Sequence, residues 1–397
     1  MKIAVYHNLP SGGGLSHLSD VVRTLKKNGH TLHLYRPSCS EKEFCSFLDS
    51  VDEHYEIPRK LWQPVFPLLN PFLYKSYLKR IIREDEKIAN DINNRSYDVI
   101  YIGQCQIWTE PPLLKFLNRN LRSILYCQEP KRSFYEQRFL DQIKAWPWWK
   151  KLWRLPTINW MKKSQEEHIK CATKVFCNSA FSKSNIERAY PGVVPEISYI
   201  GVDHHTFTPL ENLKDKNYQL MSVGALDPSK NHQMAIMVAG EEPANHSFKV
   251  VIVTDRAYGK TADDLKSLAK SLEVDLEIKV RIPTEELAFE LKKSFAVIYC
   301  PLMEPFGIVS IESQSCGTPV LGRNEGGIKE TLLNGVGGFR FNEDVDKYVN
   351  QLEKWIENSD EYLNFCQQAR NHIVESWTKE SLLQKTVNKI SQVTEKQ

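Results

Sequence analysis

The alternation of short apolar strands with helical segments is the feature that most constrains the fold of this chain. The segment from Lys2 to Tyr6 is apolar and is followed by the turn Gly12-Gly13-Gly14. Residues 17–27 then have helical periodicity, and residues 31–35 are apolar again. Two strands joined through a helix run parallel, because a tight hairpin cannot connect parallel neighbours. The pattern therefore predicts a parallel α/β sheet.

The same pattern recurs on both sides of residue 200 and predicts two domains. Further apolar runs that fit strands lie at 97–102, 123–126, 174–177, 219–223, 249–253, 276–279 and 296–299. A chain of 397 residues is also too long for one ordinary core. We expect an α/β protein with two Rossmann-like, doubly wound parallel-sheet domains, at about 1–200 and 201–378. Such sheets bind ligands at the carboxyl ends of their strands, so we expect a site in a cleft between the domains.

Charge and cysteine usage exclude several classes of function. The net charge is only +3 and no basic nucleic-acid motif is present, so we expect no nucleic-acid partner. The nine cysteines show no Cys-x-x-Cys pair or zinc-ligand spacing, which indicates reduced thiols in the cytoplasm. The first residues fit a strand rather than a signal peptide, and no apolar run approaches the roughly 20 residues that span a bilayer. We therefore expect a cytoplasmic protein.

A turn that leads into a helix is the strongest indication of a binding site. Glu304-Pro305-Phe306-Gly307 precedes a helical apolar stripe, and Glu312 follows eight residues after Glu304. A helix start with a glycine-loosened backbone presents unpaired N–H groups and a positive dipole end, which suit a phosphate. Both carboxylates can then face one cleft and accept hydrogen bonds from hydroxyl groups. The alternative is a surface helix with two solvated acids.

The residues around this turn resemble glycosyltransferase family 4, in particular its mannosyltransferase-like members. The shared parts are the turn at 304–307, the second acid Glu312, the Cys-Gly-Thr-Pro-Val strand at 316–320, Gly326-Gly327, the 222–224 strand with Lys230, and the crossover at 199–203. The resemblance implies a GT-B fold and sugar transfer with retention of anomeric configuration, without a bound metal. It also implies a last helix, at about 379–393, that packs back on the first domain.

The resemblance further implies roles for residues of the second domain. Lys230 would offset the charge that builds on the departing diphosphate. Glu304 would bind the hydroxyls of the donor sugar, and Glu312 would bind those of the ribose. The backbone N–H groups of Phe306, Gly307, Ile308 and Val309 would bind sugar and phosphate, and Arg281-Ile282 would line the pocket for the base.

Two segments of the first domain are candidates for contact with the reacting sugar. The turn Gly12-Gly13-Gly14 lets the backbone approach a phosphate or a sugar, and a plain tight turn is the alternative. It does not supply the third glycine of the nicotinamide-dinucleotide fingerprint. The stretch from Cys127 to Arg132 resembles a Cys-His-x-Pro-x-Arg stretch of the family, with Gln128 in place of the histidine. We expect Gln128, Glu129 and Arg132 near the reacting sugar.

Two departures from the family pattern keep other functions open. Ala225 stands where the family usually has an arginine, and Arg256, Arg281 or Arg323 are the candidates to replace that cation. Gln128 cannot titrate near neutral pH, unlike the histidine it replaces. The main alternative is therefore a non-catalytic relative that acts as a partner subunit or a sugar-nucleotide sensor. A sugar-nucleotide epimerase and a phosphorylase are further alternatives on the same fold.

The expected substrates are a nucleotide-activated hexose and a glycolipid or lipid-linked saccharide. The resemblance of the 127–132 stretch favours GDP-mannose as the donor, with a UDP-hexose as the alternative. No metal cofactor is expected, because Asp227 and the pair Asp263-Asp264 fit turn and helix-cap positions better than a metal site.

Aromatic and basic residues interleave in two stretches of the first domain. Five of the nine tryptophans are Trp146, Trp148, Trp149, Trp153 and Trp160, and residues 131–170 carry ten basic residues against four acidic ones. Residues 59–83 carry six basic residues and no acidic ones, among many apolar and aromatic side chains. This composition suits an anionic bilayer surface, so we expect peripheral binding at the inner face of the cell membrane. The alternative is a set of helices packed on the sheet with the tryptophans in the core.

Overall fold

The computed structural model describes residues 1–10, 12–40, 47–62, 70–255 and 259–395, and the chain forms two compact units. The first unit contains Met1–Tyr199 and Leu383–Gln397, and the second contains Ile200–Leu382. Each unit is an α/β domain built on a parallel sheet, which confirms the predicted fold class.

The sheet of the first unit has seven strands in the described residues, and all of its pairings are parallel. The strands are β1 (Lys2–Asn8), β2 (Thr31–Pro37), β3 (Glu53–Ile57), β4 (Val99–Cys105), β5 (Arg122–Tyr126), β6 (Lys174–Cys177) and β7 (Glu196–Ile197). Their order is β3-β2-β1-β4-β5-β6-β7. The helices are α1 (Gly13–Lys27), α2 (Asn70–Asn93), α3 (Arg132–Tyr135), α4 (Gln137–Lys144), α5 (Trp148–Ile169) and α6 (Ala180–Ala189). The strand order reverses between β1 and β4, where sheets of this kind bind ligands.

The second unit repeats this architecture with six strands in the part of the chain that the structure describes. The strands are β8 (Asn217–Val223), β9 (Lys249–Thr254), β10 (Leu276–Val280), β11 (Ser294–Tyr299), β12 (Val320–Arg323) and β13 (Gly338–Phe341), in the order β10-β9-β8-β11-β12-β13. The helices are α7 (Gln233–Gly240), α8 (Lys260–Ser271), α9 (Thr284–Lys293), α10 (Ile308–Ser315), α11 (Ile328–Thr331), α12 (Val345–Glu357) and α13 (Ser359–Ser376). Here the order reverses between β8 and β11, so loops that follow these two strands lie at the expected ligand position.

Helices cover both faces of each sheet, and this explains why the strands are apolar throughout rather than alternating. Ile3, Ala4 and Val5 are successive residues of β1 and are all fully buried. The last helix, α14 (Lys379–Glu395), adds to this core, because Leu383, Val387, Ile390 and Val393 belong to the same apolar cluster as Ile3 and Val5. None of the helices in the described ranges combines the length and the apolar character needed to cross a bilayer.

The second aromatic and basic stretch differs from its expected exposure. The Arg59 side chain is fully buried, and its guanidinium forms ion pairs with Glu84 at 2.9 Å and Asp85 at 2.6 Å. Tyr77 is also buried, in an apolar cluster with Trp108. These residues therefore belong to the packed interior. A buried guanidinium requires a charged partner, and Glu84 and Asp85 supply it. Residues 63–69 of this stretch lie outside the described residues.

Candidate active site

The loops that follow β8 and β11 meet at a lysine–glutamate pair. Lys230 Nζ lies 2.8 Å from Glu304 Oε2, and both side chains are partly buried. Lys230 ends a short 3₁₀ turn in which the Asp227 carboxylate accepts a hydrogen bond from the N–H of Ser229 at 2.8 Å. The N–H of Leu302 donates to the carbonyl of Ser229 at 2.7 Å, so the two loops are also joined through the backbone. The structure therefore places two of the predicted site residues in direct contact.

The Glu304–Gly307 turn is held by close packing against the glycine pair. The N–H of Gly327 donates to the carbonyl of Glu304 at 2.7 Å, and a Cβ added to Gly327 would lie 2.2 Å from the carbonyl oxygen of Pro305. Gly307 has a φ of +96°, which L side chains rarely adopt. These glycines let the backbone of the turn lie directly on the segment that precedes α11.

Helix α10 begins immediately after this turn without a side-chain cap. The residue before it is Gly307, so within the described residues no side chain caps the N–H groups of its first residues, Ile308 and Val309. The first N–H groups of a helix have no partner inside the helix and carry the positive end of its dipole. The start of α10, four residues after Glu304, can therefore bind an anionic group.

Glu312 lies one turn into α10 in an apolar environment. Burial raises the pKa of its carboxyl group to about 7. Among the described residues, no side chain forms a hydrogen bond or an ion pair with this carboxylate. Glu312 is half-buried, and hydroxyl groups of a ligand would supply hydrogen bonds to its carboxylate.

The loop around Ala225 is fixed by a buried histidine. His232 Nε2 lies 3.1 Å from the carbonyl of Ala225, and Nδ1 lies 2.8 Å from Ser222 Oγ. Because a carbonyl only accepts, Nε2–H is the donor and Nδ1 accepts from the Ser222 hydroxyl. Burial lowers the pKa of His232 to about 4, so this arrangement holds at neutral pH. No local pattern of residues indicates this contact.

Of the three arginines that could replace the cation absent at Ala225, Arg281 and Arg323 lie within the described residues. Arg323 at the end of β12 forms ion pairs with Glu325 and with Glu343, the latter at 3.0 Å. Glu343 also accepts a hydrogen bond from Asn231, the residue after Lys230, at 3.3 Å. Arg323 is thus linked to the Lys230 loop, whereas Arg281 is exposed and donates to the carbonyl of Asp255 at 3.1 Å. Arg256 lies outside the described residues, and Ile282 is half-buried beside Arg281.

In the first unit, the glycine turn and Gln128 lie together at the carboxyl ends of β1 and β5. Gly12 precedes α1, and its carbonyl accepts hydrogen bonds from the first turn of that helix; Gly13 and Gly14 are the first two residues of α1. A Cβ added to Gly14 would lie 2.9 Å from Gln128 Nε2. Gln104 fixes the Gln128 segment, because its Oε1 accepts from the N–H of Gln128 at 3.1 Å and its Nε2 donates to the carbonyl of Glu129 at 2.8 Å.

Arg132 and two residues missed by sequence reasoning complete this region. The Arg132 guanidinium is neutralised by Glu129 at 2.7 Å and Glu136 at 3.3 Å. His17 of α1 lies 4.5 Å from the Tyr126 ring and lines the same groove as Gly14 and Gln128. The sequence position of His17, about one helical turn after Gly14, could have indicated that it lies near the glycine turn. No sequence pattern indicated Glu110. It is fully buried beside Cys127, and burial raises its pKa to about 8.

The tryptophan-rich stretch divides into two environments. Trp160 packs edge-on against the buried Trp108, with 5.5 Å between the ring centres. This contact agrees with the alternative in which the tryptophans pack in the core. Trp148, Trp149 and Trp153 are exposed, and Trp146 is half-buried. In the second unit, His204, His205 and Glu380 have ligand atoms within 4.8 Å of one another, which is a spacing that could hold a cation.

Comparison with known proteins finds a matching family model in the second unit and similar mannosyltransferases over most of the chain. The family model "Glycosyl transferases group 1" matches residues 206–372, which include Lys230, Glu304 and Glu312. The chain is 21% identical over 399 residues to alpha-1,3/1,6-mannosyltransferase alg-2 of Neurospora crassa, covering 89% of this chain and 81% of that protein. It is 26% identical over 301 residues to alpha-1,3/1,6-mannosyltransferase ALG2 of Dictyostelium discoideum, covering 66% and 68%.

Solved structures share the whole fold. Sucrose-phosphate synthase from Thermosynechococcus elongatus superposes with a TM-score of 0.74 at 13% identity, covering 99% of both chains. Anabaena Alr3699/HepE in complex with UDP-glucose superposes with a TM-score of 0.71 at 16% identity, covering 99% of this chain and 100% of the other. The predicted GT-B fold is therefore confirmed. The matched family model and the mannosyltransferase relatives support the resemblance to glycosyltransferase family 4 and the prediction of a hexosyltransferase.

Proposed function

We propose that this chain transfers a hexose, with mannose favoured, from a nucleotide sugar to a lipid-linked saccharide at the inner face of the cell membrane. The transfer retains the anomeric configuration and needs no metal. The observation that carries this proposal is the contact between Lys230 and Glu304 beside the start of α10. It places a cation, a carboxylate and a helix N-terminus at the carboxyl ends of β8 and β11.

The cation and the helix N-terminus suit the departing nucleoside diphosphate. As the bond between the anomeric carbon and the phosphate oxygen breaks, negative charge builds on the phosphate. The Lys230 ammonium group and the first N–H groups of α10 are preorganised to stabilise that charge. Glu304 is an acceptor for the donor sugar's hydroxyls, and the ion pair holds its carboxylate beside Lys230.

The proton of the acceptor hydroxyl can pass to the departing phosphate. The acceptor oxygen then bonds to the anomeric carbon on the face that the phosphate leaves, which retains the configuration. This route requires no titrating side chain, so Gln128 in place of a histidine is compatible with catalysis. Gln128 instead offers its amide for hydrogen bonds to the sugar or the acceptor.

The relatives support mannose and a lipid-linked acceptor. Besides the two mannosyltransferases above, the chain is 29% identical over 178 residues to mouse GDP-Man:Man(3)GlcNAc(2)-PP-Dol alpha-1,2-mannosyltransferase. That name includes a GDP-linked donor and a lipid-linked acceptor, so GDP-mannose is the first donor to test.

A thermal-shift panel of sugar nucleotides, followed by transfer assays, tests the proposal. GDP-mannose at about 100 times its dissociation constant should stabilise the folded chain by about 2.7 kcal/mol, and UDP-hexoses less. The stabilising donor should then lose its hexose to a lipid-linked saccharide. Stabilisation without transfer to any acceptor would instead support the sugar-nucleotide sensor, and no stabilisation by any sugar nucleotide would contradict both functions.

The raised pKa of Glu312 predicts that donor affinity depends on pH. Ribose hydroxyls donate to the ionised carboxylate, so binding favours that form. With a pKa of about 7 in the free protein, the ionised fraction increases as pH rises from 6 to 8. The dissociation constant should therefore fall about tenfold over this range, as calorimetry would measure. The phosphates of a sugar nucleotide stay ionised throughout.

The matched control is Glu312→Gln, which should bind the donor more weakly and without this pH dependence. Stability has the opposite sign. Because the folded pKa is raised above the ordinary value of 4.5, the stability contributed by the protonated group is lost as pH rises through about 7. Glu312→Gln should therefore be more stable than the wild type at pH 8. A wild-type affinity that stays flat between pH 6 and 8 would contradict the role of Glu312.

A further inference from the structure

The first half of helix α5 exposes a continuous apolar face. Trp148, Trp149, Leu152 and Trp153 are 76%, 55%, 65% and 47% exposed, and we call this set the Trp148 face. The spacings of three to five residues place these side chains on one side of the helix. Large aromatic side chains seldom remain exposed together in a soluble protein unless they bind something.

The residues of α5 that pack in the core lie in the second half of the helix, not on the Trp148 face. Met161, Gln165 and Ile169 are buried, and Trp160 packs on Trp108. Pro156 separates the two halves of the helix. The preceding helix α4 is strongly amphipathic, yet it has no buried residue. The apolar side chains of α4 are thus half-buried, whereas those of the Trp148 face are exposed.

The charges around the Trp148 face are positive. Residues 142–165 contain no aspartate or glutamate, and Lys150, Lys151 and Arg154 lie within them, whereas Lys144 pairs with Asp141 of α4 at 3.0 Å. Lys150 Nζ lies 4.5 Å from the centre of the Trp146 ring, and the Arg154 guanidinium lies 5.6 Å from it. The basic groups therefore lie close to the aromatic rings rather than on a separate surface.

We propose that the Trp148 face docks on an anionic lipid bilayer, with the tryptophans at the level of the headgroups and the lysines beside lipid phosphates. Tryptophan prefers the membrane–water interface, and amphipathic helices with tryptophan and leucine on one side and lysine on the other lie in that interface. The positive charge complements an anionic surface. Arg59 and Tyr77 are buried and take no part in this surface. This docking surface rests on the membrane location in the proposed function, but its test does not require sugar transfer.

Vesicle flotation of the full chain tests the docking surface. The wild type should float with vesicles of phosphatidylcholine and phosphatidylglycerol and much less with phosphatidylcholine alone. The triple variant Trp148→Ser, Trp149→Ser, Trp153→Ser should lose binding by about tenfold or more. Replacing Lys150 and Lys151 with glutamine should weaken binding about fivefold per lysine, and added salt should remove that difference.

Phe289→Ser is the matched control. Phe289 is 50% exposed in α9, and Lys292 and Lys293 lie 5.6 Å and 5.2 Å from its ring, so it is also an exposed aromatic beside lysines. This variant should float like the wild type. The triple variant should keep the thermal unfolding of the wild type and its stabilisation by the donor, which separates loss of docking from failure of the proposed function.

Three outcomes would overturn the proposal. The first is a wild type that does not float with anionic vesicles, and the second is a triple variant that floats as well as the wild type. The third outcome is a wild type that forms dimers in solution, does not bind vesicles, and becomes monomeric in the triple variant. That result would assign the Trp148 face to a second copy of this chain.

Discussion

Replacing Glu304 with alanine should lower kcat/KM for sugar transfer by about 10³-fold or more while the protein stays folded. The carboxylate is the proposed acceptor for the donor sugar's hydroxyls, and it lies 2.8 Å from Lys230 Nζ. Sites that bind substrate hydroxyls discriminate by up to about 10⁴–10⁵-fold when that hydrogen bonding is lost. Because 14% of the Glu304 side chain and 25% of the Lys230 side chain are exposed, the lost ion pair should cost at most about 1 kcal/mol of stability.

Initial rates with donor and acceptor, together with thermal unfolding, measure both effects. Glu357→Ala provides the control, since Glu357 is an exposed acid at the end of α12 in the same unit. It should transfer sugar at the wild-type rate. Full activity of Glu304→Ala would remove the assignment of Glu304 to the donor sugar.

Replacing Lys230 with methionine should lower kcat by about 10²–10³-fold, with a smaller change in KM. Methionine retains most of the side-chain stem that packs against Gly224, where a Cβ would lie 3.2 Å from Lys230 Cγ. It removes the charge that meets the departing diphosphate. That charge builds mainly in the transition state, so kcat should respond more strongly than donor binding. Steady-state kinetics with the donor found in the panel separate the two parameters.

The double variant Lys230→Met, Glu304→Gln provides a second test of this contact. Because the two side chains touch, their effects should not add. Lys266→Met is the control, since Lys266 is exposed on α8. A Lys230→Met rate within a few fold of the wild type would mean that another cation serves the diphosphate, and Arg323 would be the first to test because Glu343 and Asn231 link it to the Lys230 loop.

Sequence periodicity predicted the strands well, because each is a local apolar run. The runs at 249–253 and 296–299 correspond to β9 and β11, whose residues are almost entirely buried. The edge strands β3, β7 and β13 were missed, since their residues are mostly polar or only half-buried and give no such run. Fully buried parallel strands are easier to predict because helices cover both of their faces.

Contacts between distant residues could not be predicted from local patterns. The motif predicted Glu304 and Lys230 as site residues, and the fold brings them together across 74 positions of sequence. It did not indicate that His232 holds the Ala225 carbonyl or that Glu343 joins Arg323 to Asn231. The interior position of Arg59 depended on Glu84 and Asp85 in α2, and composition alone made that stretch resemble an exposed basic surface.

The last helix has a consequence for synthesis of the chain. Residues 1–199 leave the ribosome first, yet Leu383, Val387 and Ile390 fill part of the interior around β1. The core of the amino-terminal domain therefore stays incomplete until almost two hundred further residues have been translated. A chain truncated before residue 383 would keep residues 1–199 but would expose the apolar residues around β1 that the last helix covers. Such a product should depend on chaperones or aggregate.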